Sequence, residues 1–342
     1  MKIALDAAAG DHGCAPNIEG AIQAANAWGL EILLVGPAQA LRRELAARSI
    51  SKSDPRFEIV DAAEVIAMGE EPAAACRAKP QASIMVCARL VAEGRAAGLV
   101  SAGHSGATMV ASLWHLKRIP GVLRPAIAVP VPTLKGATVL LDAGANADCK
   151  PWHLVQFAAM GSIYARHILK VERPRVGLLS IGEEETKGNE LVKETMPLLK
   201  GSGIDFRGPV EGRDIPAGTA DVVVCDGFMG NVAVKLMEGM GSMIFASLKA
   251  ELMSRLAYRL AAQALRGPLG RVRKRMSYDE YGGAPLLGVR GNVIICHGRS
   301  NAKAVANALR VARELAETSV VSQIRKAVEA LQGGLEAAQA RE

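Results

Sequence analysis

Aromatic residues are scarce: Phe, Tyr and Trp supply 4% of the 342 positions. Single-stranded nucleic acids are held on aromatic stacking platforms, so no nucleic-acid partner is expected. No run of about 18 uninterrupted apolar residues occurs, and no membrane span is expected. The chain enters a strand at once, Met1-Lys2-Ile3-Ala4-Leu5-Asp6, without the basic and then apolar stretch of a leader, so a cytoplasmic location is expected. The cysteines Cys14, Cys76, Cys87, Cys149, Cys225 and Cys296 form no CxxC pair, and the histidines are equally scattered, so neither a disulfide framework nor a metal site is expected. Nucleotide signatures are missing too. There is no GxxxxGK[ST] loop, and Gly239-Met240-Gly241 lacks a third glycine and sits in a helical run. Gly103-His104-Ser105-Gly106 is one residue short of a GxSxG elbow. No cofactor is expected.

Positive charge is present and unevenly placed. The formal net charge is +7, and Arg255, Arg259, Arg266, Arg271, Arg273, Lys274 and Arg275 follow one another with no acid between them. One short segment therefore holds as much positive charge as the whole chain's excess, which points to one local acidic partner. Just before it, Leu248, Leu252, Leu256 and Leu260 recur at i+4 spacing, and Gly267-Pro268 is expected to end the helix. Two readings stand: a helix packed on the sheet or on a second subunit, or a tip that touches anionic lipid or an acidic protein.

Short Val/Ile/Leu runs alternate with longer helical stretches. Strands are expected at 2–7, 31–35, 57–60, 98–101, 126–131, 138–142, 175–181, 221–226 and 293–297. Val139-Leu140-Leu141 and Val222-Val223-Val224 are apolar throughout, as in strands covered on both faces, so the expected fold is an α/β/α sandwich with a mostly parallel sheet. No linker or repeat divides the chain. A single domain is expected over 1–330, with a basic helical protrusion near 245–278 and a tail at 331–342.

Most strands end in small-residue turns, the edge at which open parallel sheets bind ligands. After 98–101, Gly103 and Gly106 let the backbone approach an anion, and Ser105 is placed to cap the following helix and to bond an oxyanion. The plain alternative is an ordinary strand-to-helix turn. Lys187 follows Glu183-Glu184-Glu185 and precedes Asn189, so a cation there would meet phosphate while the acids hold it, or simply lie on a solvated helix start. Arg77, Lys79, Arg124 and Arg213 read individually as surface ion pairs. Asp6 and Asp11, after the first strand, are placed to orient a cation, accept a proton, or hold their own loop. Cys296 and His297 are adjacent and point to opposite faces of a strand, so this histidine cannot activate this thiol there.

Taken in order, Asp6 to Asp11-His12, Glu64–Met68, Ser101-Ala102-Gly103 with Gly106-Ala107, Arg124-Pro125-Ala126, Leu140-Leu141-Asp142 with Gly144-Ala145-Asn146, Gln156-Phe157-Ala158, Ile181–Glu184 with Lys187–Leu191, Glu211–Ile215, Val222–Phe228 with Gly230-Asn231-Val232, Tyr281–Ala284 and Cys296-His297-Gly298 resemble the phosphate acyltransferases of bacterial phospholipid synthesis. The resemblance covers all but the last dozen or so residues. It implies a fold like that of phosphotransacetylases and isopropylmalate dehydrogenases, a homodimer, loose contact with an anionic membrane surface, and acyl carrier protein as partner of the basic segment. On that basis Lys187, Asn231, Ser105 and His104 are the expected catalytic residues, and Gly103, Gly106, Asn146, Asn189, Arg213, Gly230 and Asp6 the expected binding residues. The chain departs from the family pattern at Ala8-Ala9-Gly10 (usually Met-Gly-Gly), His104-Ser105 (usually Asn-Thr) and Arg299 (usually Ser). The implied reaction moves an acyl group from acyl carrier protein to inorganic phosphate. The alternatives are a phosphotransacetylase using acyl-coenzyme A and a non-catalytic scaffold.

Overall fold

Strands with no polar face need cover on both sides, and here they have it. The computed structural model describes residues 1–339, the side chains of Tyr278 and of 332–339 excepted. The strands in chain order are β1 (Lys2–Asp6), β2 (Glu31–Gly36), β3 (Phe57–Asp61), β4 (Gly98–Ser101), β5 (Ala126–Ile127), β6 (Val129–Thr133), β7 (Gly136–Leu141), β8 (Val176–Leu179), β9 (Phe206–Val210), β10 (Val222–Val224), β11 (Ala284–Leu287) and β12 (Asn292–Ile295). They form two sheets, in the orders β3-β2-β1-β4-β12-β11-β5 and β6-β7-β10-β8-β9. Pairing is parallel except where β11 meets β12 and β5, and where β6 meets β7.

The intervening helices are α1 (Cys14–Trp28), α2 (Ala38–Ala47), α3 (Pro72–Ala78), α4 (Ser83–Ala92), α5 (Ser105–His115), α6 (Pro151–His167), α7 (Glu190–Gly201) and α8 (Asp214–Ala217). After β10 come α9 (Gly227–Met253), α10 (Leu256–Ala264) and α11 (Arg266–Met276), and after β12 come α12 (Ala302–Glu317) and α13 (Val320–Gln339). Of the tail expected at 331–342, residues 340–342 lie outside the described residues.

Period-two alternation sorts each strand between layers. Ile3 and Leu5 of β1, Val139 and Leu141 of β7, and Val222 and Val224 of β10 enter one apolar core that runs under both sheets, filled by α1, α6, α12 and α13. The opposite face of the first sheet, with Ala4, Leu33 and Leu99, packs on α3, α4 and α5. Leu140 and Val223 of the second sheet pack on Ile215 of α8 and on Ala233 and Met237 of α9. Helices thus cover both faces of both sheets, and the expected α/β/α sandwich is borne out.

Three local expectations change. The run at 126–131 divides at Ala128 into β5 and β6, so one sheet ends and the other begins there. Two strands fell outside the expected set. One is β9, an edge strand whose Gly208-Pro209 masks its pattern; the other is β11, whose Pro285 does the same. The helical run breaks twice, at Ser254-Arg255 and at Leu265, and Gly267-Pro268 lies just past the second break in the first turn of α11, where a missing proline N–H costs no helical bond.

In α9 the buried residues are Gly227 and Gly230, and α10 and α11 bury none. These helices leave Phe228, Leu236, Met243, Leu256 and Leu260 facing outward.

The centre of the shared core is α6, where Phe157 has no exposed surface. The Phe157→Ala variant is expected to lose about 3–5 kcal/mol of unfolding free energy through the cavity left behind. Chemical denaturation checks this as a lowered midpoint with an unchanged denaturant slope.

Candidate functional site

Beyond the carboxyl ends of parallel strands, helix starts and turns converge on a common edge. In the first sheet Asp6, Ser101 and Ile295 stand in register at that edge. Asp6 is 2% exposed, and its Oδ2 accepts a bond from Ser101 Oγ at 2.7 Å. Ser101 Oγ in turn accepts from the Gly103 N–H at 3.1 Å. The relay holds the turn where it nears the first loop; a Cβ on Gly103 would come within 2.9 Å of Ala9 Cβ. Burial raises the Asp6 carboxyl above its ordinary value of 3.8, opposed by Ser83 and Ser101. Ser83 Oγ lies close but outside hydrogen-bond geometry, and both it and Asp6 Oδ1 are buried without a partner.

His104 caps α5. Its Nδ1 accepts from the N–H groups of Gly106 at 3.1 Å and Ala107 at 3.4 Å. The cap expected of Ser105 therefore belongs to His104, and Ser105 is the exposed first residue of the helix. A ring nitrogen that accepts carries no proton, so the neutral imidazole keeps its proton on Nε2 as a donor. The start of α3 closes on the same turn: a Cβ on Gly106 would meet Pro72 Cγ at 2.7 Å. Lys79 Nζ pairs with Glu70 at 2.8 Å and, with the Ala67 N–H, holds that carboxyl below its usual range. From the β12 side, the Asp11 N–H donates to the Gly298 carbonyl at 2.8 Å, and Arg299 stands 3.8 Å from the Asp11 carboxylate.

The second sheet builds a separate cluster around Asp142, which has no exposed surface. Its Oδ1 accepts from the N–H groups of Ile127 at 3.0 Å, Gly144 at 3.2 Å and Ala145 at 3.1 Å. Its Oδ2 accepts from the Asn146 N–H at 2.7 Å and from Asn146 Nδ2 at 2.9 Å. Asn146 Nδ2 also donates to the Pro125 carbonyl at 2.8 Å. The expected binding residue Asn146 is thus spent on this loop. The start of α9 presses on the same loop: a Cβ on Gly230 would overlap the Asp142 carbonyl oxygen, and one on Gly227 would lie 2.6 Å from the Asn146 carbonyl oxygen. This brings Asn231 against Gly144, its side-chain amide without a hydrogen bond among the described residues. Asp226 caps the helix through the Met229 N–H at 2.8 Å.

Lys187 and Asn189 lie after β8. Asn189 Oδ1 caps α7 by accepting from the Val192 N–H at 3.0 Å, which leaves its Nδ2 as a donor. Two of the three acids expected to hold Lys187 are engaged elsewhere, Glu183 with Arg213 at 3.4 Å and Glu185 with Lys200 at 2.6 Å, while the Lys187 N–H donates to the Glu184 carbonyl. Lys187 is exposed and makes no ion pair among the described residues. Arg213 also pairs with Glu211 at 3.2 Å, as a surface ion pair. Arg255, Arg259, Arg266, Arg271, Arg273, Lys274 and Arg275 are all exposed on or beside α10 and α11, with Arg255 stacked on Tyr258 at 5.5 Å. They lie on the protruding helices, not among the strand-end turns.

The thiols offer no nucleophile. Burial pushes Cys296 up to about 12 and Cys225 well above the ordinary thiol value.

The fatty acid synthesis protein family model matches residues 1–323. A phosphate acyltransferase of Heliobacterium modesticaldum is 54% identical over 330 residues, covering 95% of this chain and 97% of its own. One of Elusimicrobium minutum is 51% identical over 327 residues, 95% of each chain. The chain belongs to the phosphate acyltransferase family. Its fold is shared with a phosphotransacetylase, EutD from Staphylococcus aureus, at a TM-score of 0.60 and 17% identity, over 92% of this chain and 94% of that one.

In this chain the expected set left out Asp142 as a positioning group, and named His104 as a catalytic residue without its role as a helix cap. Asp142 carries a signal in the sequence, an acid directly after an apolar run. The His104 cap carries none, because a histidine is an unusual cap and only the backbone geometry identifies it.

Asp6 supplies a test of the first cluster. Its folded value lies above its unfolded one, so the folded state holds the proton more tightly and stability falls as pH rises from 3.8 through the raised value. The Asp6→Asn variant lacks this titration. Relative to wild type, its thermal midpoint is expected to gain progressively as pH rises above 3.8, with the difference constant below it.

Proposed function

We propose that the chain transfers a long-chain acyl group from acyl carrier protein to inorganic phosphate, releasing an acyl phosphate for phospholipid synthesis. Family membership across 95% of the chain supports the reaction class. The observation that carries the site assignment is a set of uncommitted donors at the strand ends: His104 Nε2, Lys187 Nζ, Asn189 Nδ2 and the Asn231 amide.

Lys187, Asn189 and Asn231, with turn N–H groups, would hold phosphate. One phosphate oxygen attacks the thioester carbonyl carbon, the carbonyl becomes an oxyanion, and the carrier thiolate leaves as the carbonyl re-forms. His104 Nε2 and the Ser105 hydroxyl would stabilise the oxyanion. Hydrogen phosphate is nucleophilic at neutral pH, so no protein base is required, and positioning supplies most of the acceleration.

The cations of α10 and α11 give an acidic carrier protein a field to follow. Exposed Leu256, Leu260 and Leu265 beside them suit peripheral contact with an anionic membrane surface. Among the described residues no helix is long and apolar enough to cross a membrane. The outward apolar side chains of α9 suit burial against a second subunit.

The purified chain, given palmitoyl-acyl carrier protein and labelled phosphate, is expected to form an acyl phosphate that hydroxylamine traps. Product from acetyl-coenzyme A alone would instead assign a phosphotransacetylase. In the same assay Lys187→Ala is expected to raise KM for phosphate about 10- to 100-fold, the loss of one charge-assisted contact; a normal KM in the folded variant removes Lys187 from the site. Replacing Arg271, Arg273 and Lys274 together by Glu is expected to raise KM for the acyl carrier roughly tenfold and to weaken the salt dependence of the rate, with KM for phosphate unchanged.

A further inference from the structure

We propose that the chain carries a second anion site, for a compact phosphate ester with an apolar body, at the opposite end of the first sheet from the strand-end turns. A cavity of ≈ 430 Å³ opens there, within the range of small-ligand pockets, about 300–1,000 Å³. Its wall includes Asn292, the first residue of β12, which pairs with Gly98, the first residue of β4. The turns of the candidate site follow Ser101 and Ile295, at the other ends of the same two strands. Three residue steps at about 3.3 Å each separate the two ends by at least about 10 Å.

Donors enter the cavity from separate chain segments. Arg290 comes from the turn between β11 and β12, and its Nε donates to the Leu116 carbonyl at 3.3 Å. That bond fixes the guanidinium and leaves both Nη groups uncommitted. Arg325 comes from the second turn of α13; its Nε faces Glu329 at 3.1 Å in a surface pair that leaves its Nη groups available. Ser319 and Ser322 bring hydroxyls from the start of α13. There α13 begins, with the Ser322 and Gln323 N–H groups donating to the Ser319 carbonyl. No carboxylate lines the cavity among the described residues. The Arg290 guanidinium and the positive end of a 20-residue helix therefore stand in a concave wall, where the field is focused, with Arg325 beside them and engaged by Glu329 through Nε alone.

The geometry also selects the kind of anion. Donors that arrive from a sheet turn, a helix face and a helix start suit a tetrahedral oxyanion better than a flat carboxylate. The remaining wall is apolar: Ile119, Pro120 and Leu315 line it. Beneath it the crevice between β11, β12 and α13 holds only ≈ 10 Å³, too small for a chain to penetrate. The apolar part of the ligand therefore lies along the wall and is short.

Calorimetric titration of the full chain with n-hexyl phosphate tests this, with inorganic phosphate as the second arm. Wild type is expected to bind hexyl phosphate several-fold more tightly than inorganic phosphate, because methylenes are buried on the wall. Arg290→Gln/Arg325→Gln is expected to lose that binding by about tenfold or more, the cost of removing charge-assisted contacts. Ser322→Glu provides a variant that keeps the helix: an acid in the first turn suits the helix dipole, yet sets a carboxylate in the cavity. It is expected to show the same loss. Unchanged affinity in either variant, or no binding by wild type, overturns the site; equal affinity for the two phosphates overturns the role of the apolar wall. The titration needs no turnover, so it stands apart from the acyl-transfer assay.

Discussion

The Asp142 carboxylate is the point from which the two sheets and the start of α9 are held together. It has no exposed surface, and it accepts from Ile127 of β5, the last strand of the first sheet, while standing directly after β7 in the second. A carboxylate removed from water needs its acceptor sites filled, and this one is filled by backbone and amide donors instead of a counter-charge. Burial still raises it above the ordinary value, with the bonds from Ala145 and Asn146 pulling the other way. Because those donors belong to the loop through Asn146, the shape of the loop follows from the charge it must satisfy. The loop then limits α9 to a start with glycine at 227 and 230, which sets Asn231 beside it.

Asp6 is the counterpart in the first sheet, with a different balance. Its Oδ2 is bonded to Ser101, but Oδ1 and the neighbouring Ser83 hydroxyl are buried without a partner. Buried polar groups left half satisfied cost stability and recur where a structure is held for function. The same relay orients Gly103, and the turn it fixes leads into the His104 cap. The imidazole finishes the helix start through Nδ1, which leaves Nε2 outside the cap. A substitution at His104 therefore touches both helix stability and the donor set.

The protruding helices obey another constraint. An amphipathic helix of a monomer normally turns its apolar side inward. Here α9 beyond Gly230 packs Ala233, Val234 and Met237 on the second sheet while α10 and α11 bury nothing, so the exposed apolar side chains and the cations share one surface. The arrangement gathers positive charge on α10 and α11, apart from the strand-end turns. The cavity beside Arg290 and Arg325 stands apart from all of this, at the amino ends of β4 and β12.

Much of this was legible in the sequence. Apolar-throughout runs such as Val139-Leu140-Leu141 and Val222-Val223-Val224 required cover on both faces, and glycine-marked turns required helix starts at strand ends, because both are local consequences of backbone period and side-chain volume. The unbalanced cations of 255–275 likewise needed no fold to be seen. Tertiary structure alone decided the division of 126–131 between two sheets, the choice of His104 over Ser105 as cap, the pairing of Glu183 and Glu185 away from Lys187, and the meeting of Arg290 with Arg325. Each of these depends on partners distant in sequence or on a backbone direction that either residue could have taken. A local pattern records which face of an element is apolar; it carries no record of which other element will come to lie against it.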